Sequence, residues 1–527
     1  MASEQHDHEN QRLTLQATLD AVKSLAERNR LGQFATPTDL AVDILAYAKK
    51  LLPAGEPVRF LDPAFGTGSF YSALLRTFPP SRIAAAEGFE IDPHYGHPAT
   101  ELWHDTPLKL HLTDFTRATP PATEPERFNL VICNPPYVRH HHIANGEKSR
   151  LRRLAERVCG VRLTGLSGLY CHFLGLSHGW MTENGIAGWL IPGEFMVVNY
   201  GRPVKQYLLN QVTLLRIHRF DSHKVQFDDA LVSSAVVWFR KAKPPTDHQV
   251  ECTFGGTLTT PRISKRVPAS VLREEPKWTR LSLTQTPEPT AGITLGDIFT
   301  IKRGIATGDN RFFVLTRERI ERHGLPLECF QPVLPSPRHL PVNEVLADEH
   351  GHPLSEPSLF LLDCDLPEAV IKDRYPALWR YLEEGKARGV HERYLCRHRS
   401  PWYAQEVRSP APFLCTYMGR GNARDKRPFR FILNHSRATA TNVYLLMYPR
   451  PALARELRAK PDLTVEVWQA LDRIRPTAML REGRVYGGGL HKLEPRELGN
   501  VPADTITALL PEMVARRARQ LDFFAIT

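Results

Sequence analysis

Length, strand spacing and a break in composition together predict an α/β chain: a Rossmann-like, doubly wound sheet followed by a separate C-terminal α+β domain. At 527 residues the chain is long for one domain. Between about residues 31 and 240, short apolar runs alternate with helix-length segments, as expected for strands joined by crossover helices. Beyond residue 241 the chain turns proline- and arginine-rich with weak helical periodicity, which marks a second domain.

Residues 1–30 read as a polar helical lead-in. Strand-like runs follow at 58–61, 84–90, 110–113, 130–133, 186–191, 214–220 and 230–239. In the fourth of these, Leu130, Val131, Ile132 and Cys133 are all apolar, as suits a strand covered on both faces. Residues 241–247 (KAKPPTD) form a charged, proline-containing break. The expected organisation is a lead-in at 1–30, a first domain at 31–245, a connecting segment at 246–294 and a second domain at 295–527.

Composition narrows the class. The net charge of +11 favours a polyanionic partner without proving one. The eight cysteines are scattered with no CxxC pair, which suggests neither a disulfide framework nor a zinc knuckle and fits a reducing compartment. The first residues are polar and acidic, unlike a secretory signal, and the longest apolar run, 230–239, is far short of a membrane span. A cytoplasmic protein with no membrane partner and no metal is expected.

The first chemical signal is the loop 60–70 (FLDPAFGTGSF) after the first strand. Gly66 and Gly68 allow a tight turn and close ligand approach ahead of a helix, with Ala64 and Phe65 on the same loop. A dinucleotide fingerprint needs a third glycine, and Phe70 and Tyr71 stand near that place instead. Asp62, at the start of the loop, suits an ammonium group better than a pyrophosphate. Glu90 would end the next strand, where a carboxylate can accept both hydroxyls of a ribose. Asp114 and Phe115 would end the third, placed to bind an adenine amino group and pack on its ring. The ligand combining amino acid, ribose and adenine is S-adenosylmethionine. Taken singly these signals are weak, since a strand-end acid is often only a helix cap.

The second signal is Asn134-Pro135-Pro136-Tyr137, which stops the apolar strand abruptly. Two prolines fix φ and remove two backbone donors, leaving a stiff elbow that presents an amide, free carbonyls and an aromatic ring. An amine conjugated to an aromatic ring is a poor nucleophile because its lone pair is delocalised. Acceptors at the Asn134 side chain and the Pro135 carbonyl, aimed at its two N–H bonds, would localise that lone pair and orient it. Tyr137 can stack on the ring.

With these motifs in order, the chain resembles the γ-arranged amino-group DNA methyltransferases specific for adenine N6, in particular XamI-type modification methylases of type II restriction–modification systems. Residues 32–37 (GQFATP), with Thr36, look like that family's upstream cofactor motif, residues 167–170 (SGLY) like a motif bordering the cofactor and base pockets, and residues 225–238 like its last catalytic motif. Residues 295–308 and 484–490 look similar to segments of the larger members. The histidine-rich stretch after Tyr137 departs from the pattern. The resemblance implies a mixed, mostly parallel methyltransferase sheet and a C-terminal target-recognition domain. It also implies double-stranded DNA as substrate, an adenine flipped out between Tyr137 and Phe227, a separate cognate restriction endonuclease and a monomeric enzyme.

Arg139, Lys148, Arg150, Arg152, Arg153 and Arg157 after the turn are candidates for phosphate contacts, and Arg303, Arg311, Arg420, Arg424, Lys426, Arg437 and Arg484 in the second half for phosphate or base contacts, with no single arginine marked as a base reader. His140, His141 and His142 read as a solvated loop rather than a metal site, since adjacent side chains diverge on an extended chain. Cytosine N4 is a chemically similar target and stays open. Protein-glutamine and RNA guanine methyltransferases use related turns but need no basic second half. Cytosine C5 methylation needs a Pro-Cys nucleophile, which the chain lacks. A fused nuclease has no evident place ahead of residue 32, and a non-enzymatic DNA-binding protein would not need intact cofactor motifs.

Overall fold

The apolar runs of the first half become strands of one sheet. The computed structural model describes residues 2–221, 234–280, 292–421, 427–486 and 489–510. The chain divides into two units near residue 287, which are taken in turn.

In the first unit the helices α1 (Ala2–Val22), α2 (Leu25–Leu31) and α3 (Thr38–Leu51) precede strand β1 (Val58–Asp62). Then come α4 (Ser69–Thr77), β2 (Ile83–Phe89), α5 (Pro93–Leu102), β3 (Leu108–His111) and β4 (Phe128–Cys133). Helices α6 (Asn145–Cys159) and α7 (Leu169–Ser177) lead to β5 (Met181–Pro192), α8 (Arg202–Asn210), β6 (Thr213–Arg219) and β7 (Ser234–Arg240). Strands β8 (Gln249–Gly256) and β9 (Pro261–Pro268) follow. Among the described residues these form a nine-stranded sheet in the order β3-β2-β1-β4-β5-β7-β6-β8-β9.

The pairs from β3 through β5 are parallel, whereas β7 runs antiparallel to both β5 and β6. The sheet is therefore mixed and mostly parallel, not uniformly parallel as strand spacing alone suggests; spacing carries no information about strand direction. Chain order reverses between β1 and β4, and the carboxyl edge at such a switch point is where open α/β sheets bind ligands.

Both faces of the sheet are covered. Phe60, Leu130, Ile132, Leu190 and Trp238 pack under α3 and α4. Their chain neighbours Leu61, Val131, Cys133, Trp189 and Val237 pack on the other face with α6, α7 and α8. Strands buried on both sides must be apolar at every position, which accounts for the unbroken run at 130–133. Each fully buried side chain of this size contributes about 1.5–3 kcal/mol.

Two expectations about organisation change. Residues 249–268 are not a connector: β8 pairs parallel with β6, and β9 closes on β8 as a hairpin. The open edge of β6 needs hydrogen-bond partners, and β9, carrying Arg262, Lys265 and Arg266, makes a charged edge that resists further pairing. Likewise α1 is no loose lead-in. Arg12, 1 % exposed, is ion-paired with Glu9 at 2.7 Å and donates to Thr67 Oγ1 at 3.3 Å and Ser69 Oγ at 3.0 Å, tying α1 to the glycine loop.

The second unit is α+β. Its strands are β10 (Phe299–Arg303), β11 (Val314–Thr316), β12 (Phe330–Val333), β13 (Glu344–Val345), β14 (Leu359–Leu362) and β15 (Phe413–Thr416). Next are β16 (Met418–Arg420), β17 (Phe431–Asn434), β18 (Tyr444–Pro449), β19 (Arg484–Tyr486) and β20 (Leu490–Lys492). The described strands form a five-stranded sheet, β10-β18-β15-β17-β13, and two three-stranded sheets, β11-β14-β12 and β16-β20-β19. Among the described residues no helix is long and apolar enough to cross a membrane.

Candidate cofactor and catalytic site

Asp62 ends β1, Glu90 and Asn134 directly follow β2 and β4, Asp114 lies just beyond β3, and all four residues border one cavity of ≈ 760 Å³ at the carboxyl edge. That volume lies within the range of small-molecule sites. Thr36, Ala64, Phe65, Gly66, Phe115 and Pro136 share its wall.

Asp62 is 1 % exposed and accepts a hydrogen bond from the Ala64 N–H at 3.1 Å. Burial, with the Glu90 carboxylate adding to it, pushes its carboxyl up to about 8. No cation pairs with it among the described residues, so its carboxyl is buried without a compensating charge. Glu90 is oriented by two backbone donors, Gly66 N–H to Oε2 at 2.9 Å and Asp92 N–H to Oε1 at 2.8 Å. Burial raises its pKa too. Each carboxylate oxygen keeps a further lone pair for a hydroxyl.

Asp114 is a cap that also lines the cavity. Its Oδ1 caps the short turn that follows, accepting from Thr116 N–H at 2.8 Å, and it also borders the cavity. Phe115, 3 % exposed, is wedged among Phe89, Phe173 and Trp180 with ring centroids 5.4–5.5 Å apart. Gly68 sits at φ +93°, where a Cβ would meet Trp103 Nε1 at 2.6 Å, so the turn into α4 requires glycine.

At the elbow, Asn134 Nδ2 donates to the Phe34 carbonyl at 3.0 Å and to Thr36 Oγ1 at 3.1 Å. A carbonyl only accepts, so the nitrogen of the amide must face Phe34, and Oδ1 is left as the unspent acceptor. Tyr137 N–H approaches the Gly32 carbonyl at 3.4 Å. Gly32 lies at φ +68°, and a Cβ there would come within 2.3 Å of Tyr137 N. The segment 32–37 and the elbow thus lock together across some hundred residues of chain. Tyr137 donates its hydroxyl to the Leu190 carbonyl at 3.0 Å on β5, and burial raises its pKa. Its ring is held by its far end with Phe34 tilted against it, centroids 6.1 Å apart. Pro135 is buried within the same turn.

Phe227 lies outside the described residues, as do Arg424 and Lys426. Several other basic candidates are engaged internally. Arg150 bonds Glu147 and Thr116, and Arg152 donates to the Leu163 carbonyl. Arg484 pairs with Glu497 at 2.9 Å, and Arg303 stacks on Tyr417 at 4.2 Å. Arg153, Arg157, Arg311 and Arg420 remain exposed. Among the described residues no cluster of three or more His, Cys, Asp or Glu could hold a metal ion.

Sequence reasoning missed the α1 wall of the cavity, formed by Gln16, Asp20 and Lys23, and Gln33 beside it. Thr67 donates its hydroxyl to Gln16 Oε1 at 2.6 Å, Tyr95 to Asp20 Oδ1 at 2.8 Å, and Lys23 pairs with Asp92. The signal was present: positions 16, 20 and 23 are spaced four and three apart, on one helical face.

The mixed, mostly parallel sheet with its flanking helices resembles an S-adenosylmethionine-dependent methyltransferase fold, here with a further C-terminal domain. Residues 277–522 match the family described as "Type II methyltransferase M.Eco57I, C-terminal domain", and residues 96–226 match "Eco57I restriction-modification methylase". The chain is 26% identical over 481 residues to Type II methyltransferase M.XamI of Xanthomonas campestris pv. amaranthicola, covering 89% of this chain and 84% of that one. It is 26% identical over 493 residues to Type II methyltransferase M.AccI of Acinetobacter calcoaceticus, covering 90% and 85%. Parts of both halves of the chain are thus similar to Eco57I-type restriction–modification methylases, and most of its length is similar to type II methyltransferases. The fold also matches the Type IIL restriction-modification enzyme MmeI, solved in complex with DNA, at TM-score 0.53 and 13% identity over 89% of this chain and 73% of that one.

Proposed function

We propose that the protein methylates N6 of an adenine swung out of double-stranded DNA at a short site, using S-adenosylmethionine and protecting that site from a separate endonuclease. The observation that carries this reading is the locked amide of Asn134, whose nitrogen is spent on Phe34 and Thr36 and whose oxygen is free at the cavity.

The residues present fit the cofactor. Asp62, buried without a cation, would take its ammonium; Glu90 would take the ribose hydroxyls; Asp114 and Phe115 would hold the adenine. When bound, S-adenosylmethionine supplies a methyl group activated on a sulfonium. Asn134 Oδ1 and the Pro135 carbonyl accept the two N–H bonds of the target amine, so that its lone pair localises on nitrogen and is oriented in the turn. No strong base is required beforehand, because the amine nitrogen becomes acidic once alkylated and releases its proton to solvent. Removing the base from the duplex costs roughly a few kcal/mol. Stacking on Tyr137 and Phe227 offsets that by about 1–3 kcal/mol per ring. The basic second unit, a proposed target-recognition domain, suits the duplex, and the DNA complex of the MmeI enzyme supports the same substrate class.

The test is transfer of radiolabelled methyl from S-adenosylmethionine to plasmid DNA, total RNA and protein, followed by nucleoside analysis. The expected product is N6-methyladenine in duplex DNA. N4-methylcytosine would move the target to cytosine, and label only in RNA or protein would reject the proposal.

A further inference from the structure

In the second unit, the loop after β10 and the side chain of Asn442 border an open recess of ≈ 480 Å³ that the proposed chemistry does not use. Its hydrogen bonding is one-sided. The Ala306 carbonyl accepts from Arg399 Nη2 at 2.5 Å, Thr307 from Arg399 Nη1 at 2.9 Å, and Gly308 from Arg393 Nη1 at 3.2 Å. Asp309, 7 % exposed, is neutralised by Arg393 at 3.0 Å and also accepts from the Arg311 N–H at 3.0 Å. Asn310 Oδ1 accepts the Thr307 hydroxyl at 2.6 Å, and its amide nitrogen has no partner among the described residues.

Each of these oxygens already accepts a hydrogen bond, while two donors have no partner among the described residues: Asn310 Nδ2 and the exposed Arg311 guanidinium. The backbone that presents them is stiff. Gly308 stands at φ +92° with Cys396 Sγ 2.9 Å from where a Cβ would be. A recess that offers unspent donors and carries net positive charge, with Arg311 and Arg393 against Asp309, is complementary to an anionic group made of acceptors.

We infer that this recess grips a phosphate of the DNA backbone through Arg311 and Asn310, setting the position of the duplex on the second unit without reading its sequence. A guanine edge, likewise made of acceptors, is the competing partner for Arg311, and the test separates the two. The inference rests on the proposed DNA substrate.

The test uses the full-length protein with Arg311→Ala and Arg311→Lys. Both side chains are exposed at this position, so neither change opens a core. Affinity for a fluorescein-labelled random-sequence duplex is measured by anisotropy across a salt series, and methylated positions on a plasmid are mapped by sequencing. Losing one phosphate contact should lower the slope of log K against log salt by about 0.9 in Arg311→Ala, with Arg311→Lys retaining it. The mapped sites should stay the same. An unchanged slope, or an altered site preference, which would mean that Arg311 reads a guanine, overturns the inference. Wild-type protein that binds no duplex in this assay rejects the underlying DNA reading as well, whereas wild-type binding with an unchanged variant slope rejects the inference alone.

Discussion

Asp62→Asn preserves shape and removes the charge at the start of the glycine loop. In the ligand-free protein this carboxyl is buried, with its pKa raised from 3.8 to about 8. The folded state therefore holds a proton that the unfolded chain has released. Stability falls as pH rises from about 4 toward 8, and the loss is complete above 8. Asp62→Asn should flatten that slope and leave the free protein at least as stable at neutral pH. Bound to an ammonium, the same carboxyl must ionise, so uptake of S-adenosylmethionine below pH 8 should release a proton at Asp62. Removing one partner of a buried ion pair costs about 3–5 kcal/mol, or roughly two to three and a half orders of magnitude in affinity. Titration calorimetry at pH 7 in two buffers of different ionisation enthalpy reads both quantities. Binding by Asp62→Asn within about threefold of wild type, or identical proton release by the two proteins, would refute the reasoning.

Three further expectations follow from the elbow. Asn134→Ala should lower methyl transfer by at least roughly a thousandfold while cofactor affinity stays within a few-fold, as loss of a positioning acceptor predicts; a single-turnover assay beside calorimetry separates the two, and near-normal transfer would exclude the amine clamp. Gly32→Ala places a Cβ within 2.3 Å of Tyr137 N at φ +68°, so it should cost about 1–3 kcal/mol of stability and slow transfer without touching the glycine loop. Unaltered melting and activity would show that the two segments do not depend on each other. Phe227→Ala should weaken binding to duplexes with a mismatched target adenine by about 1–3 kcal/mol, read by anisotropy, and unchanged affinity would remove that ring from the base pocket.

Much of the first unit was legible because its signals are local. Seven apolar runs marked the strands to within a few residues, since a strand covered on both faces admits little but apolar side chains. The glycine loop and the strand-end acids were legible for a related reason: each is a residue type demanded by its own backbone position. What local chemistry does not encode is which distant segment answers it. The pairing of residues 249–268 onto the sheet satisfies an edge far away in sequence, and α1 read only as a polar helical lead-in because Arg12 finds its hydroxyl partners further along the chain, at Thr38, Thr67 and Ser69. The arginines of the second half show the same limit, for composition cannot separate Arg484, spent on Glu497, from the exposed Arg311, whose guanidinium has no partner among the described residues.

By itself, then, the order of residues determined the sheet's strands, the glycine turn and a rigid Asn-Pro-Pro-Tyr elbow, because covalent geometry and burial act on each within a few residues. Only the tertiary structure decided the direction of β7, the α1 wall of the cavity and which end of the Asn134 amide is free. Those outcomes depend on hydrogen-bond partners that folding brings together across a hundred residues or more, such as Phe34 with Asn134, and no local pattern records them.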